Sequence, residues 1–164
     1  MRETNEIETE LYNRALRLLT RRDHSRTELS QKLKSRLQGA SEIDNETLER
    51  VFNRLEDHGY LNDQRFAESY TRARMTKGFG ADRIAMELAE KGISSAMSEM
   101  VLADYEEDWP ALIQRVWQKK YRQPPEDFAE RARQQNFLRY RGFRTVDIDR
   151  LFRSLRAGSA VEDS

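Results

Sequence analysis

The sequence has no cysteine, which excludes disulfides and thiolate metal sites. It has only two histidines, His24 and His58, and neither has a second ligand at metal-binding spacing. Each falls at a predicted helix C-terminus, where a partly charged imidazole suits the helix dipole. Three prolines and seven glycines are too few for a collagen-like or low-complexity chain. No apolar run approaches the roughly 20 residues that a membrane-spanning helix needs. The first residues are acidic and polar, so no secretory leader is expected and a soluble cytoplasmic protein is. No stretch alternates apolar and polar residues with period two, so no sheet is expected. Phosphate-cradling loops are missing too: Gly78-Phe79-Gly80-Ala81-Asp82-Arg83 lacks both the third glycine and the preceding strand of a dinucleotide fingerprint.

Charge is abundant. Charged residues make up 35% of the 164, and the mean hydropathy is −0.93. Such a chain builds thin helices with narrow apolar stripes. Its formal net charge of zero conceals blocks. Residues 11–37 hold eight Lys/Arg against two acids, and 38–64 hold two against seven. Residues 65–83 hold five against two, 84–108 one against seven, and 109–156 twelve against five. Segregated charge either neutralises within the fold or presents fields to a partner.

The stretch Gly59–Ile93 organises the rest. It begins and nearly ends on helix-stopping glycines, Gly59 and Gly92, and holds two amphipathic patterns broken at Gly78-Phe79-Gly80. Phe79 is expected to plug the gap between the two helices. Around it the pattern gives nine helices in three groups of three. Residues 1–10 read as a flexible acidic arm. Leu11, Ala15, Leu16 and Leu19 share the first helical face. Ser25 with Glu28 is a capping box opening the second helix (Leu29, Leu33, Leu37), which Gly39 stops. Asn45 caps the third (Leu48, Val51, Phe52, Leu55). Asn62-Asp63 starts the fourth (Phe66, Ala67, Tyr70, Ala73), and the fifth carries Ile84, Ala85 and Leu88. The sixth buries Met97, Met100 and Val101. Asp108-Trp109-Pro110 opens the seventh (Trp109, Leu112, Ile113, Val116). The eighth runs from about Asp127 to Arg141 with Phe128, Ala132, Phe137 and Leu138, and Gly142 stops it. Thr145 caps the ninth (Ile148, Leu151, Phe152, Leu155), and 157–164 read as a loose tail.

Cap and stripe of the third helix recur at the same spacing one hundred positions later, and Gly92 recurs as Gly142. A period near fifty residues predicts an all-α, elongated array of three tandem three-helix repeats over 11–60, 61–107 and 108–156.

No catalytic or metal-binding residues stand out, and no cofactor is expected. The acidic run Glu106-Glu107-Asp108 reads as a solvated face. Basic clusters are the stronger signal, because each cation that meets a phosphate releases counterions and gives sequence-independent binding. The candidate nucleic-acid and filament contacts are Lys32, Lys34 and Arg36; Arg72, Arg74, Lys77 and Arg83 around one turn; Lys119 and Lys120, followed by Arg122; and Arg139, Arg141 and Arg144 around Gly142. Alanine at Arg72, Arg74 and Lys77 together is expected to weaken binding while helix content stays native. Tyr121 and Tyr140 lie among these charges, either to stack on bases or to pack beneath a helix.

Several of these residues carry a family resemblance. Gly59-Tyr60-Leu61-Asn62-Asp63 with Arg65-Phe66-Ala67, then Lys77-Gly78-Phe79-Gly80, Arg83-Ile84, Glu87-Leu88 and Lys91-Gly92-Ile93, resembles the central signature of the RecX family. Ala15-Leu16-Arg17-Leu18-Leu19 with Arg22-Asp23-His24-Ser25, Glu28-Leu29 and Lys32-Leu33 resembles its first repeat, and Phe137–Phe143 its third. The likeness spans roughly residues 11–155. It departs at Ala81, where the family usually has proline, leaving the first turn of the fifth helix less rigid.

The resemblance implies three three-helix repeats in a curved array and a regulator without catalysis of its own. It implies a monomer that lodges in the groove of the RecA filament on single-stranded DNA and inhibits strand exchange, ATP hydrolysis and co-protease activity, in DNA repair, recombination and the SOS response. Two other readings stay open on the residues. A helix-turn-helix regulator of duplex DNA would use Gln134, Gln135 and Asn136 as base readers. A nuclease would use the acidic clusters.

Overall fold

The computed structural model describes residues 2–36 and 43–162, with side chains over 2–35 and 43–158. Among these residues every regular element is a helix: α1 (Arg2–Arg21), α2 (Arg26–Arg36), α3 (Asn45–Asp57), α4 (Asp63–Thr76), α5 (Ala81–Glu90), α6 (Ser95–Ala103), α7 (Trp109–Lys120), α8 (Phe128–Tyr140) and α9 (Thr145–Glu162). The expected stop at Gly39, Leu37 and the last two residues lie outside the described ones.

Two compact parts result, Met1–Ser69 with Leu88–Ser94, and Tyr70–Glu87 with Ser95–Ser164. In the first, Leu11, Ala15 and Leu18 of α1 close on Leu29 and Leu33 of α2 and on Leu48, Val51, Phe52 and Leu55 of α3. The capping box forms as read: the Ser25 N–H donates to Glu28 Oε1 at 3.3 Å, and the Glu28 N–H donates to Ser25 Oγ at 3.1 Å. Asp63 adds a second cap, accepting from the Arg26 N–H at 2.9 Å. Gly59 takes φ +77°, which lets the N–H groups of Gly59 and Tyr60 turn back onto Glu56 and Leu55 carbonyls and end α3. Gly92 is fixed for another reason. A Cβ there would stand 1.9 Å from Thr27 Oγ1, so the turn after α5 meets the first turn of α2 through a missing side chain.

In the second part α7 packs on α9 and α8. Both tryptophans of the chain, Trp109 and Trp117, are buried on α7 beside Leu112 and Ile113. Trp117 Nε1 donates to Oε1 of the fully buried Gln134 at 2.8 Å. Leu138 of α8, Phe143 of the following turn, and Ile148, Leu151 and Phe152 of α9 are buried.

Several sequence expectations need correction. Residues 2–10, read as a flexible arm, are the first half of α1, and Glu8 there receives Arg50 at 3.5 Å and Arg54 at 3.9 Å from α3. The helix α9 likewise runs through 157–162, read as loose. Asp44, rather than Asn45, caps α3, accepting from the Glu46 N–H at 3.2 Å. Ala73 is exposed while Thr71 is buried, because the inner face of α4 drifts toward Thr71 and Arg74. Met100 is exposed because α6 turns Ser98 and Val101 inward. Phe128 is 85% exposed: at the first position of α8, it lies roughly a quarter turn around the helix from the face that buries Gln134 and Leu138.

Candidate nucleic-acid interface

In the second part, the Gly78-Phe79-Gly80 turn and the turn after α8 meet backbone to backbone. The Gly80 N–H donates to the Arg141 carbonyl at 3.0 Å, and the Asp82 N–H to that of Gly142 at 2.9 Å. Glycine is required on both sides. A Cβ on Gly80 would stand 2.5 Å from the Gly142 carbonyl, and one on Gly142 (φ +89°) 2.1 Å from Arg83 Cβ. Phe79 fills this junction under three guanidinium groups: Arg74 at 3.9 Å, Arg141 at 4.3 Å and Arg83 at 4.5 Å from its ring centre.

One buried carboxylate balances that charge. Glu87 receives Arg74 at 2.7 Å, Arg83 at 3.2 Å and the Tyr70 hydroxyl. Burial alone would raise its pKa, but the hydrogen bonds from Arg74 and Tyr70 and the charge of Arg74 bring it below the usual carboxylate value. Arg141 has no carboxylate. Its guanidinium donates to the Lys77 carbonyl at 2.6 Å and the Gly78 carbonyl at 3.2 Å. Burial, then the nearby charges of Arg83 and Arg74, lower its pKa.

Beside this junction opens a groove of about 580 Å³. Lys77 from the end of α4, Arg115, Lys119 and Lys120 from α7, and Arg141 line it, and Val116 and Phe137 form its apolar floor. The Lys120 ammonium lies 3.9 Å from the Phe137 ring centre. Among the described residues no acidic side chain lines the groove.

The three-helix pattern and these turns have counterparts among known proteins. Models of the RecX first, second and third three-helix domains match residues 12–55, 62–102 and 106–152. The regulatory protein RecX of Serratia proteamaculans is 38% identical over 162 residues, covering 88% of this chain and 96% of the relative. That of Escherichia coli K12 is 40% identical over 150 residues, covering 88% and 90%. The chain belongs to the RecX family. The crystal structure of RecX from Lactobacillus salivarius superposes with a TM-score of 0.77 at 25% identity, covering 93% of this chain and 99% of that one. A second crystal structure, of regulatory protein RecX, shares the fold with a TM-score of 0.74 at 22% identity, covering 88% and 72%. The matched ranges fall on α1–α3, α4–α6 and α7–α9, with the start of α1 and the end of α9 running beyond them.

Within this RecX fold the basic residues singled out in the sequence separate into two kinds. Arg74 and Arg83 are held by Glu87. Arg144 is fixed by Asp147 at 2.7 Å and Glu106 at 3.0 Å, and their hydrogen bonds raise its pKa further. These three serve the fold, so the Arg72, Arg74 and Lys77 triple replacement would also disturb the Glu87 cluster. Lys32 donates to His24 Nε2 at 3.0 Å. Lys34, Arg72, Lys77, Lys119, Lys120 and Arg139 are exposed, and Arg141 half-buried; the Arg36 side chain lies outside the described ones.

His24 departs from its sequence reading. It is 2% exposed, its Nδ1 lies 3.1 Å from the Arg22 carbonyl, and burial lowers its pKa. The ring is therefore held neutral, with Nδ1–H donating and Nε2 accepting from Lys32. Tyr121 packs edge-on to Phe137 at 5.7 Å, whereas Tyr140 is 76% exposed. Sequence reasoning missed Arg115; its spacing of four from Lys119 on one helical face was the available signal.

Proposed function

We propose that this protein is a non-catalytic regulator of the RecA filament on single-stranded DNA, restraining its recombinase, ATPase and co-protease activities. The observation that carries this reading is that all three RecX domains lie in order along one chain, at 38–40% identity to proteins named regulatory protein RecX. Inhibition of this kind needs no chemistry: a ligand that prefers an inactive or terminated filament shifts the population by its differential affinity. Among the described residues no group of three or more His, Asp or Glu is placed to hold a metal, and no helix is long and apolar enough to cross a membrane. The reading places the protein in the cytoplasm, as a monomer, in DNA repair and the SOS response.

The helix-turn-helix reading loses one of its three named readers, since Gln134 is buried against Trp117. The test is ATP hydrolysis by preformed RecA filaments on single-stranded DNA, with this protein added well below the RecA concentration. Loss of hydrolysis is the expected result, and hydrolysis unchanged up to equimolar protein would reject the proposal.

A further inference from the structure

We infer that the groove lined by Lys77, Arg115, Lys119, Lys120 and Arg141 is where this protein takes nucleic acid, gripping the phosphodiester backbone without reading bases. This assigns DNA to one basic cluster among several. It rests on the filament reading only for what the bound DNA is then used for.

The first argument is charge balance. Elsewhere most of the partly buried arginines have carboxylates: Arg14 has Glu10, Arg26 has Glu49 and Glu56, Arg74 and Arg83 share Glu87, and Arg144 has Asp147 and Glu106, while Arg131 lies over the Phe152 ring at 5.7 Å. In the groove, cations from the ends of α4 and α8 and from α7 converge, and no described carboxylate pairs with any of them. Arg141 is held in place by carbonyl oxygens alone, which orient it but leave its charge uncompensated. The missing partner is an anion from outside.

Spacing and floor narrow the class. Arg115 and Lys119 are four residues apart on one face of α7, a rise of about 6 Å, comparable with the distance between successive phosphates on an extended strand. Val116 and Phe137 beneath them offer apolar surface to a sugar. Donor-only cations can meet guanine's O6 and N7, but discriminating among all the bases needs amide or acceptor side chains as well. Among the described lining residues Thr76 is the one uncharged polar side chain, and its hydroxyl already donates to the Arg72 carbonyl at 3.0 Å. Binding is therefore salt-dependent and largely indifferent to sequence.

The test is fluorescence anisotropy with a labelled oligo(dT) and a labelled random duplex across a salt series. The wild type is compared with Lys119→Ala/Lys120→Ala and with a charge-matched control outside the groove, Arg150→Ala/Arg153→Ala. All four positions are exposed and helical, where alanine favours the helix, and circular dichroism checks that the fold is kept. The expected result is weaker binding by the groove variant, with a slope of log affinity against log salt shallower by about 0.7 per lost phosphate contact on single strands, while the control follows the wild type. No DNA binding by the wild type, or equal changes in both variants, would overturn the inference. So would a groove variant that binds DNA normally but fails to inhibit RecA hydrolysis, because the groove would then meet an acidic protein surface. Wild type that binds DNA through the groove yet leaves RecA hydrolysis untouched supports the groove and rejects the filament reading.

Discussion

Glu87 holds two guanidinium groups and a phenol while being 8% exposed, so its loss leaves buried positive charge without a partner. Removing one member of such a cluster costs about 3 kcal/mol, and Glu87→Gln is expected to lower thermal stability by that order, measured by denaturant unfolding. Its native pKa lies below its ordinary value of 4.5, so its contribution is complete above the ordinary carboxylate range and disappears as pH falls through the native pKa. The variant should therefore show a flatter acid limb than the wild type. At this scale the sequence was partly legible. Arg74 and Lys119 look alike in a basic cluster. What separates them is Glu87, thirteen residues from Arg74 and brought alongside only by the fold. Arg144 depends in the same way on Glu106, thirty-eight residues away.

The interior helix boundaries were largely legible, because glycine stops and capping pairs are local chemistry. Gly59, Gly78, Gly92 and Gly142 all take positive φ. Periodicity could not show which of these turns are also crowded. Gly59 has nothing within 4 Å of a built Cβ, so Gly59→Ala carries only the left-handed backbone penalty, about 1–2 kcal/mol. Gly142→Ala meets Arg83 backbone and Cβ atoms as well, and is expected to destabilise by several kcal/mol more, read as the difference in unfolding free energy between the two variants. Equal losses would mean that the turn after α8 has room for a side chain and that crowding by Arg83 does not fix its glycine. Helix ends were misjudged where distant ion pairs decide them: α1 is extended over 2–10 with Glu8 bound to α3, which no local pattern announces.

Across the whole molecule, groups that favour folding only in one protonation state set the response to acid. His24 is kept neutral by burial, with Lys32 and Arg22 nearby opposing its charge and Glu28 favouring it. Its native pKa lies below the ordinary 6.5, so the unfolded chain binds the proton first and stability begins to fall as pH drops below about 6.5. Glu28 and Glu87 add a second loss below their ordinary 4.5. Burial opposes both, but Arg22 and Arg74 respectively hold them lower. Melting followed by far-ultraviolet circular dichroism from pH 8 down to about 2 is expected to show both declines, at about 2–4 °C per kcal/mol for a chain of this size. His24→Gln should remove the upper one and leave the lower. A single decline confined to the carboxylate range in the wild type would contradict the neutral His24.

Both tryptophans sit on α7, and Trp117 is next in the chain to Val116 on the floor of the cationic groove. The protein thus carries its own optical probe on one side only. Ultraviolet emission from indole reports the surroundings of α7 and is dark to the packing of α1 on α3. A labelled ligand is unnecessary for watching that helix: quenching or a colour shift on adding DNA would register there, while the helices of the first part, lit only by tyrosine, pass unseen.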